Sequence, residues 1–316
     1  MKKALHILPL FLLLTFMLSA QSVMDLAKKA SEETNAGKYQ NAIETYNQII
    51  AAEPEVSQWY FYRGQDFNML NENKKALSDY NKAIELAPQY FDAYLSRAIL
   101  YFSLNEPEKS INDYNQTLRY LKDESVRAFI YNNRGNAKAL RKDLQGAYND
   151  FQKAYTVDNH SIAALDNLGK ILNKLERGDE ALFYFKKMLE LDSTNISAQS
   201  DLAYTLLNLH RFQESIEQYN SVLIKNPNSP LALSNRGLAK MNISDYTGAL
   251  DDANHSLELY PQNPYAYRNR GMIKIAMNKK AEGCADFKEA LNLGFTQKYD
   301  TEVEEFYKHY CSATKF

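Results

Sequence analysis

The sequence predicts an all-α protein, a solenoid of eight consecutive helix-turn-helix repeats. The first observation is a pattern of small and aromatic residues that returns every 34 residues. The second is that small and aromatic residues also recur at positions of the repeat that were not used to align the repeats. The third is that proline closes the second helix in four of the repeats, where it cannot continue a helix. Such a period is typical of stacked repeat arrays, in which a longer chain contains more repeats rather than more separate hydrophobic cores.

Composition limits the function classes. The chain has 316 residues, of which 45% are hydrophobic and 24% charged, and its formal net charge is -2. With 11 Gly and 8 Pro it resembles neither collagen nor a low-complexity linker. No basic cluster occurs outside the first few residues, so we expect no nucleic-acid partner.

Residues 1–20 have the pattern of a signal peptide. Lys2 and Lys3 precede an apolar run over residues 5–18, and Ser19 and Ala20 form a small-residue cleavage zone. We therefore predict cleavage after Ala20 and export to the periplasm or the exterior; the alternative is an uncleaved signal anchor. No other stretch is apolar enough to cross a membrane, so we expect no membrane span after signal removal.

The eight repeats follow with one interruption, and position 1 denotes the first residue of each. They cover residues 23–56, 57–90, 91–124, 128–161, 162–195, 196–229, 230–263 and 264–297. Residues 125–127 are an insertion that is expected to bend the stack.

Two positions predict how the helices of a repeat pack. Position 20 is small in every repeat, and position 24, one turn later, is aromatic in all repeats except the seventh, which has Ala253. Small residues let two antiparallel helices approach, and an aromatic ring fills the space at their crossing. We therefore expect looser packing around Ala253.

These residues resemble the tetratricopeptide repeat, a helix-turn-helix unit of 34 residues. The resemblance covers residues 23–297 and implies a right-handed superhelix whose first helices line a groove. Residues 298–316 resemble a capping helix and tail, with a helix expected over residues 298–311. The apolar stripe Val303, Phe306, Tyr307 and Tyr310 is expected to face the last repeat.

A charge pair is predicted from two positions that vary together. Arg at position 7 and Asp at position 23 occur in the same five repeats and are absent together from the other three. The pairs are Arg63 with Asp79, Arg97 with Asp113, Arg134 with Asp150, Arg236 with Asp252, and Arg270 with Asp286. We expect each pair to join the two helices of one repeat, because a guanidinium is a planar fork for a carboxylate. The alternative is shared ancestry of five similar repeats without contact.

No catalytic or cofactor motif is present. The sequence lacks a glycine-rich phosphate loop, a nucleophile elbow and a zinc-binding His-Glu-x-x-His helix, so we predict no enzyme, no cofactor and no metal. Cys284 and Cys311 are the only two cysteines. An even count in an exported chain favours a disulfide, and two free buried thiols are the alternative.

Asparagine recurs on the first helices although it is a mediocre helix former. The residues expected to bind peptide are Asn132, Asn133, Asn136, Asn167, Asn235 and Asn269. Four of these share position 6, a row similar to the asparagine ladder of the O-linked N-acetylglucosamine transferases, and Asp201 interrupts it. An amide both donates and accepts, so such a row could bind an extended backbone. The alternative is that these are ordinary polar residues kept in a repeated sequence.

The function that these patterns favour is a non-catalytic protein- or peptide-binding scaffold in a cell envelope. Residues 18–21 and 283–287 resemble those of envelope repeat proteins of the Bacteroidetes. A second candidate is an assembly or chaperone-like accessory subunit of a larger envelope complex. The sequence does not identify the protein or peptide partner.

Overall fold

The computed structural model describes residues 8–121 and 126–311, with side chains from Ser22 onward. Within these residues every regular element is a helix, which confirms the predicted fold class. The chain forms two compact bodies, Met1–Val157 and Asp158–Phe316.

The N-terminal body contains four antiparallel helix pairs. Its helices are α1 (Leu8–Asn35), α2 (Tyr39–Ala52), α3 (Ser57–Met69), α4 (Asn73–Leu86), α5 (Phe91–Ser103), α6 (Pro107–Tyr120), α7 (Arg127–Leu140) and α8 (Leu144–Val157). α1 runs through the predicted cleavage position, and cleavage stays a prediction. In the described residues no helix is both long and apolar enough to cross a membrane. Ser125, where the predicted insertion begins, lies outside the described residues.

The C-terminal body contains four further pairs and the end of the chain. Its helices are α9 (Ile162–Lys174), α10 (Gly178–Leu191), α11 (Ile196–Asn208), α12 (Phe212–Lys225), α13 (Pro230–Asn242), α14 (Tyr246–Leu259), α15 (Pro264–Ala276), α16 (Lys280–Asn292), α17 (Phe295–Lys298) and α18 (Glu302–Phe306). A single π-helical turn, Tyr307–Cys311, follows α18.

The last residue of one repeat caps the first helix of the next in the C-terminal body. The side chains of Ser161, Asn195, Ser229 and Asn263 accept hydrogen bonds from backbone N–H groups in the first turns of α9, α11, α13 and α15. These caps satisfy donors that a helix leaves unpaired at its start. Each of the four helices therefore begins at position 1 of its predicted repeat.

The turn inside each repeat depends on one left-handed residue, always at position 15. These residues, all with φ between 58° and 70°, are Gly37, Asn71, Asn105, Lys142, Glu176, His210, Ser244 and Asn278. In the fifth repeat the N–H of Arg177 donates to Leu172 O and that of Glu176 to Asn173 O. These two bonds form a Schellman motif, which closes the first helix and reverses the chain.

Replacing Glu176 by glycine is expected to stabilise the protein by about 1 kcal/mol, because a side chain at positive φ costs about that much. Glu176 is exposed, so the change removes little packing. Urea-induced unfolding measures the effect, and Glu176→Gln is the control that removes the charge but keeps the strain. Equal stability of the two variants would contradict this explanation.

An aromatic ring fills the space between the two helices of most repeats. A Cβ added at Gly135 would lie 2.5 Å from the ring of Phe151, so only glycine fits beneath that ring. The seventh repeat differs. There a Cβ added at Gly237 would lie 2.9 Å from the backbone oxygen of Ala249, and Ala253 is fully buried. The expected looser packing at Ala253 is therefore not seen, because the backbones of the two helices lie in close contact at Gly237 and Ala249.

The end of the chain is not the single helix predicted over residues 298–311. Gly294, with φ of 81°, separates α16 from α17, and a second break separates α17 from α18. The Asp300 carboxylate accepts the backbone N–H of Glu302 and starts α18 there. The predicted apolar stripe does pack on α16, and Val303 is fully buried. Cys284 and Cys311 are joined by a disulfide bond, so the chain end is tied to α16.

Candidate functional site

Five arginines on first helices hold carboxylates on the second helices of their own repeats. Each guanidinium donates from Nε and Nη2 to both oxygens of one aspartate. The Nη2 to Oδ1 distances are 2.7 Å for Arg63–Asp79, 2.7 Å for Arg97–Asp113, 2.6 Å for Arg134–Asp150, 2.6 Å for Arg236–Asp252 and 2.7 Å for Arg270–Asp286. The five pairs thus have the within-repeat geometry that the covariation predicts.

Each of these arginines also has a partner in the preceding repeat. Its Nη1 donates to an asparagine side-chain oxygen at position 25 of the previous second helix. The five acceptors are Asn47, Asn81, Asn115, Asn220 and Asn254. The sequence carried this signal, because position 25 is Gln152 or Lys186 where the following repeat lacks arginine. The covariation of positions 7 and 23 predicts only the contact within one repeat, so this second contact was missed.

The surroundings of the pair vary with position 11. Where this position is lysine, a second cation reaches the aspartate: Lys138 Nζ lies 2.8 Å from Asp150 Oδ2. Where it is aromatic, as at Tyr101, the ring instead lies 5.9 Å from the guanidinium of Arg97. Asp150 is therefore paired with two cations, Arg134 and Lys138. Among the described residues Asp113 is paired with one cation, Arg97.

The predicted row of asparagines is not an accessible ladder. Asn235 is 3% exposed and Asn269 is fully buried. The amide of Asn269 donates to Ser234 Oγ at 2.9 Å, and its oxygen accepts from Arg268. Asn269 thus joins neighbouring repeats and has no free edge for a peptide. Asn132 is also buried, at 8% exposed.

The remaining predicted asparagines do not form a continuous row either. Asn133 lies nearer the surface, but its amide donates to Phe129 O in its own helix at 2.8 Å. Asn136 and Asn167 are half-buried. The prediction of a regular asparagine ladder was wrong, because position 6 packs against the preceding repeat towards the end of the chain.

A pocket of about 610 Å³ lies on the first-helix face of α11, α13 and α15. We call it the tyrosine pocket. Five tyrosines line it: Tyr204, Tyr219, Tyr260, Tyr265 and Tyr299. Asp201, Leu231 and Asn235 are among its other walls. Three successive repeats and the chain end contribute to it, so its composition cannot be read from any one repeat.

Buried polar atoms in the tyrosine pocket lack hydrogen-bond partners. These atoms are Tyr219 Oη, Asn235 Oδ1 and Asp201 Oδ2. Burial raises the pKa of the Tyr219 hydroxyl and the neighbouring Asn235 amide offsets this only partly, so the hydroxyl keeps its proton. Buried polar groups are usually paired, and leaving one unpaired costs about 1–3 kcal/mol. A ligand group that pairs with them would gain that free energy.

Asp201 is the only charged residue in the lining of the tyrosine pocket. Burial raises the pKa of its carboxyl, and the ammonium of Lys170 partly reverses this. Lys170 Nζ lies 2.8 Å from Asp166 Oδ2 but 3.6 Å from Asp201 Oδ2. One cation is therefore shared between two carboxylates, and this corner of the pocket is electronegative.

The N-terminal body has a smaller pocket of about 330 Å³, which contains a buried carboxylate. Asp66 is fully buried, and its two oxygens accept from Thr34 Oγ1 at 2.9 and 3.1 Å. Burial raises the pKa of Asp66 from 3.8 to about 6, and the Thr34 hydrogen bond offsets only part of this. The folded protein therefore holds this proton more tightly than the unfolded chain does.

Asp66 is expected to destabilise the folded protein at neutral pH. Its contribution is favourable below the ordinary carboxyl pKa and is lost as pH rises through about 6. Asp66→Asn should therefore raise the free energy of unfolding at pH 8 by about 2–3 kcal/mol and leave it nearly unchanged at pH 4. Urea-induced unfolding at both pH values measures this. The exposed Glu44→Gln is the control, and an equal gain at both pH values would contradict the explanation.

In the described part of the chain no group of three or more His, Cys, Asp or Glu residues could hold a metal ion. His210 occupies the left-handed position of the turn between α11 and α12.

Comparisons with known proteins agree with the repeat geometry. A TPR repeat family matches residues 64–105, and a tetratricopeptide repeat family matches residues 172–235. The chain is a tetratricopeptide repeat protein. Proteins of this fold are typically non-catalytic protein-interaction scaffolds, and no enzyme family is indicated. No curated protein sequence matches the chain significantly.

Two solved structures illustrate the likeness. The first is YrrB, described as a TPR protein with an unusual peptide-binding site; it is 26% identical, with a TM-score of 0.50, over 59% of this chain and 95% of YrrB. The second is PilW, described as a widely conserved type IV pilus biogenesis factor. It is 16% identical, with a TM-score of 0.55, over 67% of this chain and 97% of PilW, and it shows the fold alone.

Proposed function

We propose that this tetratricopeptide repeat protein is a non-catalytic scaffold that binds an extended segment of a partner protein in the tyrosine pocket. The observation that carries the proposal is the pocket on the first-helix face of α11, α13 and α15, with buried polar atoms left unpaired. Tyrosine side chains supply large, rigid contact surfaces with a polar tip, and they are enriched at protein interfaces. The peptide-binding site named for YrrB supports this reading.

The proposal places the protein outside the cytoplasm. The basic and apolar pattern of residues 1–20 supports export, and the Cys284–Cys311 disulfide supports an oxidising compartment. N-terminal sequencing of the mature protein tests this proposal, with Gln21 expected at the new N-terminus. An N-terminus at Met1 would contradict cleavage.

A second candidate is an accessory subunit that helps a larger envelope complex to assemble. The same pocket would then hold a segment of one subunit. Stable association with a single complex during purification from the envelope favours this role, whereas release of many short peptides favours a general scaffold.

Selection from a displayed library of random 12-residue peptides tests the proposed function. Wild-type protein should enrich peptides whose binding, measured by fluorescence anisotropy, is lost in Leu231→Lys. Leu231 is 58% exposed and lines the pocket, so the new ammonium would lie where the peptide packs without disturbing the core.

Ile224→Lys is the matched control. Ile224 is 81% exposed on the second helix α12, and it does not line the tyrosine pocket. Its substitution introduces the same charge and should leave binding unchanged. Failure to enrich any peptide, or equal loss in both variants, would contradict binding at the tyrosine pocket.

A further inference from the structure

The five internal arginine side chains on first helices are bound by the same kinds of group. In each of the five internal pairs a carboxylate binds the guanidinium in a fork, and an asparagine oxygen takes a third N–H. In four of them a tyrosine at position 4 also lies against the guanidinium. These rings are Tyr60, Tyr94, Tyr131 and Tyr267, whose centroids lie 5.3–5.6 Å from the arginine Cζ. Carboxylate, amide oxygen and tyrosine face together are thus the internal arginine site of this molecule.

The tyrosine pocket has the same three kinds of group without an arginine. Asp201 supplies the carboxylate, Asn235 the amide oxygen and Tyr204 the aromatic face, whereas the ring of Tyr265 already lies against the guanidinium of Arg268. No lysine or arginine is among the residues lining the pocket. The sixth repeat itself has Leu202 at position 7, where the five internal arginines stand.

The polar atoms at this site need a donor. Tyr219 is 2% exposed and Asn235 is 3% exposed, yet Tyr219 Oη and Asn235 Oδ1 have no hydrogen-bond partner. Asp201 Oδ2 also lacks a hydrogen bond, because its ion-pair partner Lys170 Nζ lies 3.6 Å away and is only 2.8 Å from Asp166. All three atoms can accept a proton donor, and two of them can only accept. Charge and hydrogen-bond capacity both point to a cationic ligand with several N–H groups.

We propose that the tyrosine pocket binds an arginine side chain of the partner segment. This inference rests on the proposed function, and it identifies the side chain that the pocket selects. Arginine fits better than lysine because its planar group stacks on tyrosine while its N–H groups reach separate oxygens. Lysine presents a compact, strongly hydrated ammonium, which does not stack in this way.

The experiment uses the displayed 12-residue library and one enriched peptide. Arginine should be enriched at one position of the peptides selected on wild-type protein. Replacing that arginine by citrulline, a neutral side chain of the same shape, should weaken binding about tenfold or more, because hydrogen bonds to charged groups are the stronger ones.

Two variants of the protein locate the interaction. In Asp201→Asn the arginine and citrulline peptides should bind with nearly equal affinity. Asp166→Asn removes the same charge without changing the lining of the pocket; Lys170 can then move towards Asp201, so the preference for arginine should fall by much less than in Asp201→Asn. Circular dichroism checks that both variants fold, and the citrulline comparison on wild-type protein needs no variant at all.

The outcomes separate this inference from the proposed function. Peptides that bind the pocket without arginine enrichment and without sensitivity to citrulline would overturn the arginine site and leave the scaffold function standing. Equal effects of Asp201→Asn and Asp166→Asn would also overturn it, because the overall negative potential around the pocket would then explain the preference for arginine over citrulline. If no peptide binds at all, both proposals fail.

Discussion

Arg97→Ala is expected to destabilise the third repeat by about 3–5 kcal/mol, the usual cost of leaving one partner of a buried ion pair behind. The Asp113 side chain is 7% exposed and would lose both of its bonds to the guanidinium. Asn81 in the preceding repeat would lose its donor as well. The damage should therefore reach α4 as well as α5 and α6.

Native-state hydrogen exchange of amides in α4, α5 and α6 measures this loss locally, which suits a repeat array. Arg134→Ala is the matched variant. Lys138 Nζ still lies 2.8 Å from Asp150, so we expect a smaller loss there, roughly 2 kcal/mol. Removing both partners in Arg97→Ala/Asp113→Ala should recover part of the loss, since no buried charge then remains unpaired.

Equal losses in Arg97→Ala and Arg134→Ala would contradict this account of the pairs. So would a double variant that is less stable than Arg97→Ala. Either result would mean that packing of the arginine stem, rather than neutralisation of the aspartate, determines the stability of the repeat.

Removing the disulfide is expected to destabilise the chain end by about 3.5 kcal/mol, the chain-entropy cost of a loop of this length. Cys284 and Cys311 are 27 residues apart, and the segment between them contains α17 and α18. Cys284→Ala/Cys311→Ala should therefore lose hydrogen-exchange protection in α16 and α18 first. Peptide binding should also weaken, because Tyr299, which lines the tyrosine pocket, lies inside this loop.

Dithiothreitol provides the control for the disulfide. Reduction should lower the stability of the wild-type protein to that of the double variant and should not affect the variant. A wild-type protein whose unfolding midpoint is insensitive to reduction would show that apolar packing of Val303 and Phe306 alone holds the chain end.

Much of the fold could be predicted because the residues that pack the two helices of a repeat lie within that repeat. The 34-residue period set the helix pairs, and covariation of Arg63 with Asp79 identified a contact inside one repeat. The break between α17 and α18 was missed, because the apolar stripe from Val303 to Tyr310 lies wholly after the break and does not indicate where the helix begins. The spacing of apolar residues identifies the buried face of a helix, but it does not detect a change of direction between two short helices.

The candidate site was harder to predict because it depends on contacts between repeats. Asn269 resembles a groove residue within its own repeat, yet Ser234 of the preceding repeat binds it and buries it. The tyrosine pocket combines side chains of three repeats with Tyr299 from the chain end. No single repeat of the sequence contains that combination.

Photo-crosslinking tests most directly whether a peptide binds in the tyrosine pocket. A selected peptide carrying a photoreactive residue would be irradiated with wild-type protein, and the attachment sites would be mapped by mass spectrometry. We predict crosslinks to pocket residues such as Tyr204, Leu231 and Tyr265. Crosslinks confined to second helices, for example around Ile224 on α12, would contradict binding at this face.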